Sequence, residues 1–116
     1  MKYLLLLYDD AARVAAMTAD DRRAMVDEHL AYATMLRELG VHRAGEPLDA
    51  PETARTVRFG EGEDPVVTDG PFLEAKEALG GFYLLECASD EVALALAKQV
   101  PRSPGLVAEL RPIPDV

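Results

Sequence analysis

The chain has 116 residues, of which 49% are hydrophobic, and this is enough to bury the core of one domain. Its 21 acidic and 12 basic residues give a formal net charge of −9. Such a surface repels nucleic acid phosphates and anionic membranes, so we expect neither as a partner. No repeat or linker divides residues 1–116, which predicts a single domain.

The first predicted element is a strand at residues 3–8, where apolar residues follow one another without alternation. This pattern is typical of a strand covered on both faces, so the strand is predicted to lie centrally in a sheet. The run is too short for a signal peptide or a membrane span. The single cysteine, Cys87, allows no internal disulfide. These features together predict a cytoplasmic location.

Residues 9–17 are predicted to form an irregular, alanine-rich connection. A helix is predicted to follow, because the Thr18 hydroxyl can cap a first turn that contains two aspartates. Its periodicity runs to Leu39, and Gly40 is the expected stop.

The rest of the chain is predicted to contain more strands and a second helix. In order, we predict a short strand near 41–44, a turn-rich segment over 45–51, a hairpin with arms at 54–59 and 66–68 around a loop at 60–65, a strand at 82–87, a helix opened by residues 89–91 and closed by Pro101, and a strand at 106–110 ended by Pro112 and Pro114. This order predicts an α+β, ferredoxin-like βαββαβ fold with a hairpin insertion, an antiparallel sheet and both helices on one face. Because no element remains to cover the other face, we expect a homodimer.

His29 is the most informative position for chemistry. It shares one side of the predicted helix with apolar residues, namely Met25, Val26, Tyr32, Ala33 and Leu36. The imidazole is therefore predicted to face the sheet, where burial lowers its pKa unless a carboxylate offsets the effect. A hydrogen-bonded core histidine and a catalytic base both fit this placement, and the former is the more common.

A second feature is the charged segment at residues 69–77. Asp69-Gly70-Pro71 predicts a sharp bend, since aspartate can bond its own backbone and proline restricts the exit. Glu74, Lys76 and Glu77 then alternate in sign. By spacing alone this pattern predicts a turn followed by a solvated, salt-bridged segment.

Residues 67–84, VTDGPFLEAKEALGGFYL, resemble the signature of the YCII-related family in its DGPF-domain branch. The resemblance continues at residues 1–8, 28–32, 56–58 and 107–113, and so covers nearly the whole chain. It implies a dimeric α/β barrel, in which two ferredoxin-like halves pack sheet against sheet. This agrees with the fold that the order of elements predicts.

For activity, the resemblance implies a histidine and an aspartate that meet in a pocket between helix and sheet. The matching residues here are His29 and Asp69. Relatives in the wider superfamily include lyases, isomerases and monooxygenases that act on small, often aromatic, compounds. Members of the DGPF branch frequently accompany extracytoplasmic-function sigma factors, which implies regulation instead.

Two functions therefore stay open. The first is a cofactor-free lyase or isomerase in which Asp69 holds one imidazole nitrogen of His29 and the other moves a proton. Its small-molecule substrate would be bound by an anion-receiving Arg58 or Lys76 and by an aromatic wall, namely Tyr8, Tyr32, Phe72 and Tyr83. The second is a non-catalytic ligand-binding or regulatory module associated with sigma-factor signalling. No cofactor is expected, and neither is a metal, because the two histidines lack a chelating spacing.

Overall fold

The computed structural model describes residues 1–62 and 64–116. In chain order its elements are β1 (Lys2–Asp10), α1 (Ala11–Ala15), α2 (Ala19–Glu38), β2 (His42–Pro47), a 3-10 turn (Pro51–Thr53), β3 (Arg55–Arg58), β4 (Val66–Asp69), β5 (Glu77–Glu86), α3 (Asp90–Ala97) and β6 (Val107–Ile113). Among the described residues, no helix is long and apolar enough to cross a membrane.

Four strands form one antiparallel sheet in the order β2-β5-β1-β6. β1 lies between β5 and β6, which confirms the central position predicted from its uninterrupted apolar run. β3 and β4 form a separate two-stranded hairpin inserted between β2 and β5. This order and connectivity are those of a ferredoxin-like βαββαβ fold with a hairpin insertion, so the predicted fold class is confirmed.

The core lies between one face of the sheet and the two longer helices. Because side chains alternate along a strand, Leu5 of β1 and both Tyr83 and Leu85 of β5 face this side and are buried. α2 buries Leu36 against them, and α3 adds further buried side chains. The hydroxyl of Tyr32 in α2 donates a hydrogen bond to the carbonyl of Leu96 in α3, at 2.7 Å, and joins the two helices.

The two central strands are apolar on the opposite face of the sheet, and no helix of the described chain lies against this face. Leu4 lies opposite Leu84, and Leu6 opposite Phe82, in the register of β1 and β5. These four side chains are partly exposed, whereas their alternate neighbours are buried. We call them the open-face cluster.

The ends of α2 are those predicted. The Thr18 hydroxyl accepts a hydrogen bond from the Asp21 amide at 3.1 Å, and the Asp21 carboxylate accepts one from the Thr18 amide at 3.1 Å. This reciprocal capping box satisfies two amides that have no partner within the helix. Gly40 follows the helix with a φ of 75°, a conformation that glycine adopts without a steric penalty.

The prediction of an irregular connection over residues 9–17 is wrong. β1 continues to Asp10, whose carboxylate accepts a hydrogen bond from the Arg13 amide at 3.0 Å and caps the short helix α1. The same extension explains why β5 begins at Glu77 and not at the predicted residue 82, since Asp10 pairs with Glu77 across the two strands.

Two further boundaries differ from the prediction. β2 continues to Pro47, because its pairing with β5 extends to Gly81. β6 continues through Pro112 to Ile113, because β6 is an edge strand, where the missing amide of a proline is tolerated.

The hairpin of β3 and β4 confirms the two predicted arms to within one or two residues. Its predicted loop at residues 60–65 includes residue 63, which lies outside the described residues. The large apolar side chains of the hairpin and of the segment after it are exposed, namely Val57, Phe59, Val66, Val67, Phe72 and Leu73. The hairpin therefore adds little to the core of the chain.

We expect Leu36→Ala to lower the free energy of unfolding by about 2–5 kcal/mol, because it leaves a cavity at a fully buried position. Urea denaturation followed by circular dichroism measures the change. Leu30→Ala is the matched control on the same helix, since Leu30 is 59% exposed, and it is expected to change the value by less than about 0.5 kcal/mol. Equal effects of the two substitutions would contradict the packing described here.

Candidate functional site

A cavity of about 490 Å³ lies between α2, one end of the four-stranded sheet and the segment at residues 48–52. This volume is typical of small-molecule sites. Apolar side chains form much of the wall, among them Leu7, Val14, Leu30, Ala33, Leu79 and Leu106. The polar groups in the wall include Asp9, Glu28, His29, Arg37, His42 and Tyr83. The arrangement suits a ligand with an apolar body and a few polar atoms.

His29 and Tyr83 form a hydrogen-bonded pair in the wall of this cavity. The Nδ1 atom of His29 lies 2.7 Å from the hydroxyl oxygen of Tyr83, and the two rings are stacked with centroids 6.0 Å apart. His29 projects from α2 and Tyr83 from the helix-covered face of β5. The Nε2 atom of His29 makes no hydrogen bond with any described residue, which leaves it available to a ligand.

Burial sets the protonation of the pair. Desolvation lowers the pKa of His29, and the negative charges of Glu28 and Asp9 oppose this effect only in part. Desolvation also raises the pKa of Tyr83, with Arg37 acting in the opposite direction. The imidazole is therefore neutral and the phenol protonated at neutral pH.

This neutral pair has two hydrogen-bonding arrangements. If Nδ1–H donates to the Tyr83 oxygen, Nε2 presents a lone pair and acts as a base. If the Tyr83 hydroxyl donates to Nδ1, Nε2 carries the proton and can donate a hydrogen bond to a ligand. The first arrangement is the one in which Nε2 can accept a proton.

The Tyr83 ring is held by its neighbours. Gly45 lies opposite it on β2, and a Cβ atom at position 45 would stand only 2.7 Å from the Tyr83 Cδ1 atom. The Tyr32 ring packs edge-on at 5.1 Å and the His42 ring at 6.4 Å between centroids. The glycine thus makes room for the ring, and the two aromatic contacts limit its movement.

Asp9 places a fixed carboxylate at the end of the cavity. Its Oδ1 atom lies 2.8 Å from the Arg13 guanidinium and accepts a hydrogen bond from the Ser103 hydroxyl at 3.0 Å. These contacts join β1, α1 and the loop before β6. The carboxylate acts on His29 through its charge and makes no hydrogen bond to it.

Three predicted aromatic wall residues have different positions. Tyr83 lines the cavity and contacts His29 directly. Tyr32 is buried behind Tyr83 as part of the core. Tyr8 lies on the opposite face of the sheet, where its hydroxyl donates to Glu109 at 3.2 Å. The reason is strand alternation, since Tyr8 follows the even-numbered leucines of β1.

The other predicted site residues lie on the hairpin and the segment after it. Asp69 ends β4 and is exposed, and the guanidinium of Arg58 lies 5.2 Å from the centre of the Phe72 ring. The carbonyl of Lys76 accepts a hydrogen bond from the Ala11 amide at 2.9 Å. None of these four lines the cavity. The expected bond between His29 and Asp69 is not formed within the described chain, because Asp69 belongs to a hairpin that pairs separately from the sheet that carries Tyr83.

Sequence reasoning missed several residues of the cavity wall. Arg37 lies eight residues after His29, so helical periodicity would have placed it on the same face of α2. Asp9 directly follows the apolar run of residues 3–8, and the structure places it within β1 and not in the predicted irregular connection. The role of Gly45 has no local signal, since it depends on pairing with a residue 38 positions later in the sequence. Among the described residues, no three histidine, cysteine or carboxylate side chains are grouped so as to hold a metal ion.

We expect stability to fall as the pH drops below 6.5, the ordinary pKa of histidine. The unfolded chain binds a proton at His29 more readily than the folded protein, so the stabilisation present above pH 6.5 is lost toward the lower folded-state pKa. His29→Gln should reduce the difference between urea midpoints at about pH 7.5 and about pH 5.5. Burial also lowers the pKa of His42, so the double variant should show the smallest difference. An unchanged difference in His29→Gln would contradict this electrostatic description.

The sequence is similar to one family model and to one curated protein. A family model described as the YCII-related domain matches residues 1–114. The chain is also similar to an uncharacterised protein of Rhizobium meliloti (strain 1021), with 34% identity over 100 residues. That alignment covers 86% of this chain and 80% of the relative. These similarities support a family and add no activity.

Proposed function

The chain belongs to the YCII-related family, and from the geometry of its cavity we propose that it is a small-molecule enzyme of the lyase or isomerase class. In this proposal His29 transfers the proton. The observation that supports it best is the 2.7 Å contact between His29 and Tyr83 in the wall of a cavity of about 490 Å³. The contact orients a neutral imidazole and leaves its Nε2 atom without a hydrogen-bond partner among the described residues.

The reaction that fits this pair is removal of a proton from carbon next to a carbonyl group. Nε2 takes the proton while Nδ1–H donates to the Tyr83 oxygen, so the imidazole becomes an imidazolium and the substrate an enolate. The imidazolium then returns the proton at another carbon, which gives an isomer. Alternatively, a leaving group departs from the neighbouring carbon, which gives an alkene, and solvent later removes the proton from His29. Neither route requires a cofactor.

The lowered pKa of His29 serves both halves of this reaction. It keeps the imidazole unprotonated at neutral pH, so that the base is available without a preceding deprotonation. It also makes the imidazolium a stronger acid than free histidine, which favours return of the proton. A ligand-binding module without turnover would use the same cavity but would not need this protonation state.

Proton transfer can be detected without knowledge of the natural substrate. We expect wild-type protein in D₂O to exchange carbon-bound protons of some members of a panel of cyclic ketones and lactones, followed by ¹H NMR. His29→Gln should slow this exchange by about 10²–10⁴-fold, the usual contribution of a general base. Tyr83→Phe keeps the ring and removes the hydroxyl that orients His29. It should slow the exchange less than His29→Gln does.

His42→Gln is the matched control, since His42 lines the same cavity but has no hydrogen bond to Tyr83 among the described residues. It removes one edge contact to the Tyr83 ring and should therefore lose less exchange than Tyr83→Phe. Saturation-transfer NMR shows whether each compound binds. Compounds that bind wild-type protein and exchange no faster than in buffer would contradict the enzyme and favour the binding module.

We also propose that two copies associate through the open-face cluster of Leu4, Leu6, Phe82 and Leu84. These side chains come from the two central strands and form a continuous apolar surface. A second copy can cover this surface without any additional element, because a two-fold contact uses the same patch twice. His29 and Tyr83 lie on the helix-covered side of the sheet, so association of the open faces does not cover them.

We expect the purified protein to have twice the mass of a 12.6 kDa chain in light scattering after size-exclusion chromatography. Leu6→Lys should reduce this to the monomer mass, because the contact would bury an unpaired charge. Leu94→Lys is the control, since Leu94 is exposed on α3 and lies away from the open face. A monomeric wild-type protein at micromolar concentration would contradict the proposal.

A further inference from the structure

We propose that the substrate carries a single carboxylate group, and that Arg37 binds this group while the apolar body of the substrate lies over Ala33 and reaches His29. The inference rests on the proposed function, because it names the substrate class of the same cavity. It assigns to Arg37 the role of a specificity-determining residue.

The three residues lie in line along α2. His29, Ala33 and Arg37 are spaced by four residues and all line the cavity. The rise of a helix places the first and last about 12 Å apart along the axis. Ala33 between them is buried and has no atoms beyond Cβ, which leaves room for an apolar group. A small ring with a carboxylate on a short arm is of a size to span this distance.

Arg37 has a charge that the described chain does not neutralise. The ion pairs among the described residues use Arg13, Arg23, Arg43 and Arg111, and Arg37 takes part in none of them. Its charge acts on Tyr83 and on His42, and it lowers the pKa of each. Arg37 is exposed and therefore offers an available guanidinium, two turns along α2 from His29.

The charges of the cavity orient an anionic ligand. Asp9 and Glu28 act on His29 and repel a carboxylate from that end. Arg37 attracts it to the other end, where a guanidinium can bind a carboxylate through two parallel hydrogen bonds. The carboxylate thus lies away from the imidazole. The carbon that loses its proton lies next to the imidazole.

Only one negative charge fits this arrangement. Glu46 and Glu52 also line the cavity, and the chain as a whole carries a net charge of −9. The wall contains the cations Arg22, Arg37 and Arg102, so a phosphate or a dicarboxylate would meet more acidic than basic side chains. The same acidic residues would attract an amine, so an ammonium ligand is the alternative that the experiment must test.

The experiment compares three probes that share one ring and one arm, namely phenylacetate, phenylacetamide and phenethylamine. Their dissociation constants are measured by ¹H–¹⁵N NMR titration of wild-type protein, Arg37→Gln and Arg37→Lys. We expect phenylacetate to bind wild-type protein most tightly. Arg37→Gln should weaken its binding by about tenfold to hundredfold and leave phenylacetamide nearly unchanged. Arg37→Lys should retain part of the affinity.

Arg102→Gln is the matched control, because Arg102 also lines the cavity and its loss changes the net charge equally. It should alter phenylacetate binding by less than about threefold if the effect is specific to Arg37. An equal loss in both variants, tighter binding of phenethylamine, no binding of phenylacetate, or its displacement by equimolar inorganic phosphate would each overturn the inference.

A further variant separates this inference from the proposed function. In the His29→Gln background, Arg37→Gln should still weaken phenylacetate binding by about tenfold to hundredfold, because the carboxylate lies at the other end of the cavity. If binding depends on Arg37 but wild-type protein exchanges no carbon-bound proton in any compound, proton transfer is wrong and the carboxylate site stands. If exchange depends on His29 but carboxylate binding does not depend on Arg37, the carboxylate site is wrong and proton transfer stands.

Discussion

The packing of α2 against the central strands β1 and β5 is the constraint on which the rest of the structure depends. Leu36 and its neighbours on α2 are buried only if one face of the sheet meets the helix. Because side chains alternate along β5, the register that buries Leu85 also directs Tyr83 toward α2. His29 lies one turn before Ala33 on that helix and meets the Tyr83 hydroxyl. The contacts that stabilise the fold therefore also place the two polar rings of the site.

Burial creates both the stability problem and the reactivity of this pair. A half-buried imidazole and a buried phenol each need a hydrogen-bond partner, and here each supplies the other. The bond satisfies one nitrogen of His29, while desolvation disfavours its charged form. The result is a neutral, oriented base, which is the state that proton abstraction requires. A fully solvated histidine would have neither the orientation nor the lowered pKa.

The two faces of the sheet serve different purposes in this description. The helix-covered face forms the core and, at one end, the cavity with His29 and Tyr83. The open face carries an apolar cluster from the same two strands and is the proposed contact between copies. Neighbouring residues of one strand point to opposite faces. A substitution at Leu6 therefore acts on the proposed association, whereas one at Leu7 acts on the cavity. Association and chemistry are thus separable by experiment.

The sequence by itself determined the order of elements, the capped ends of α2, the central position of β1 and the inward orientation of His29. These features depend on local periodicity and capping, which act over a few residues. It also indicated the family, through a motif that is continuous along the chain. The tertiary structure decided that His29 meets Tyr83 and not Asp69, that Tyr8 lies on the other face, and that Asp9 and Gly45 adjoin the site. Each of these depends on which distant strands pair and in what register, and the free energy of that choice comes from burial across the whole sheet, not from any local pattern of residues.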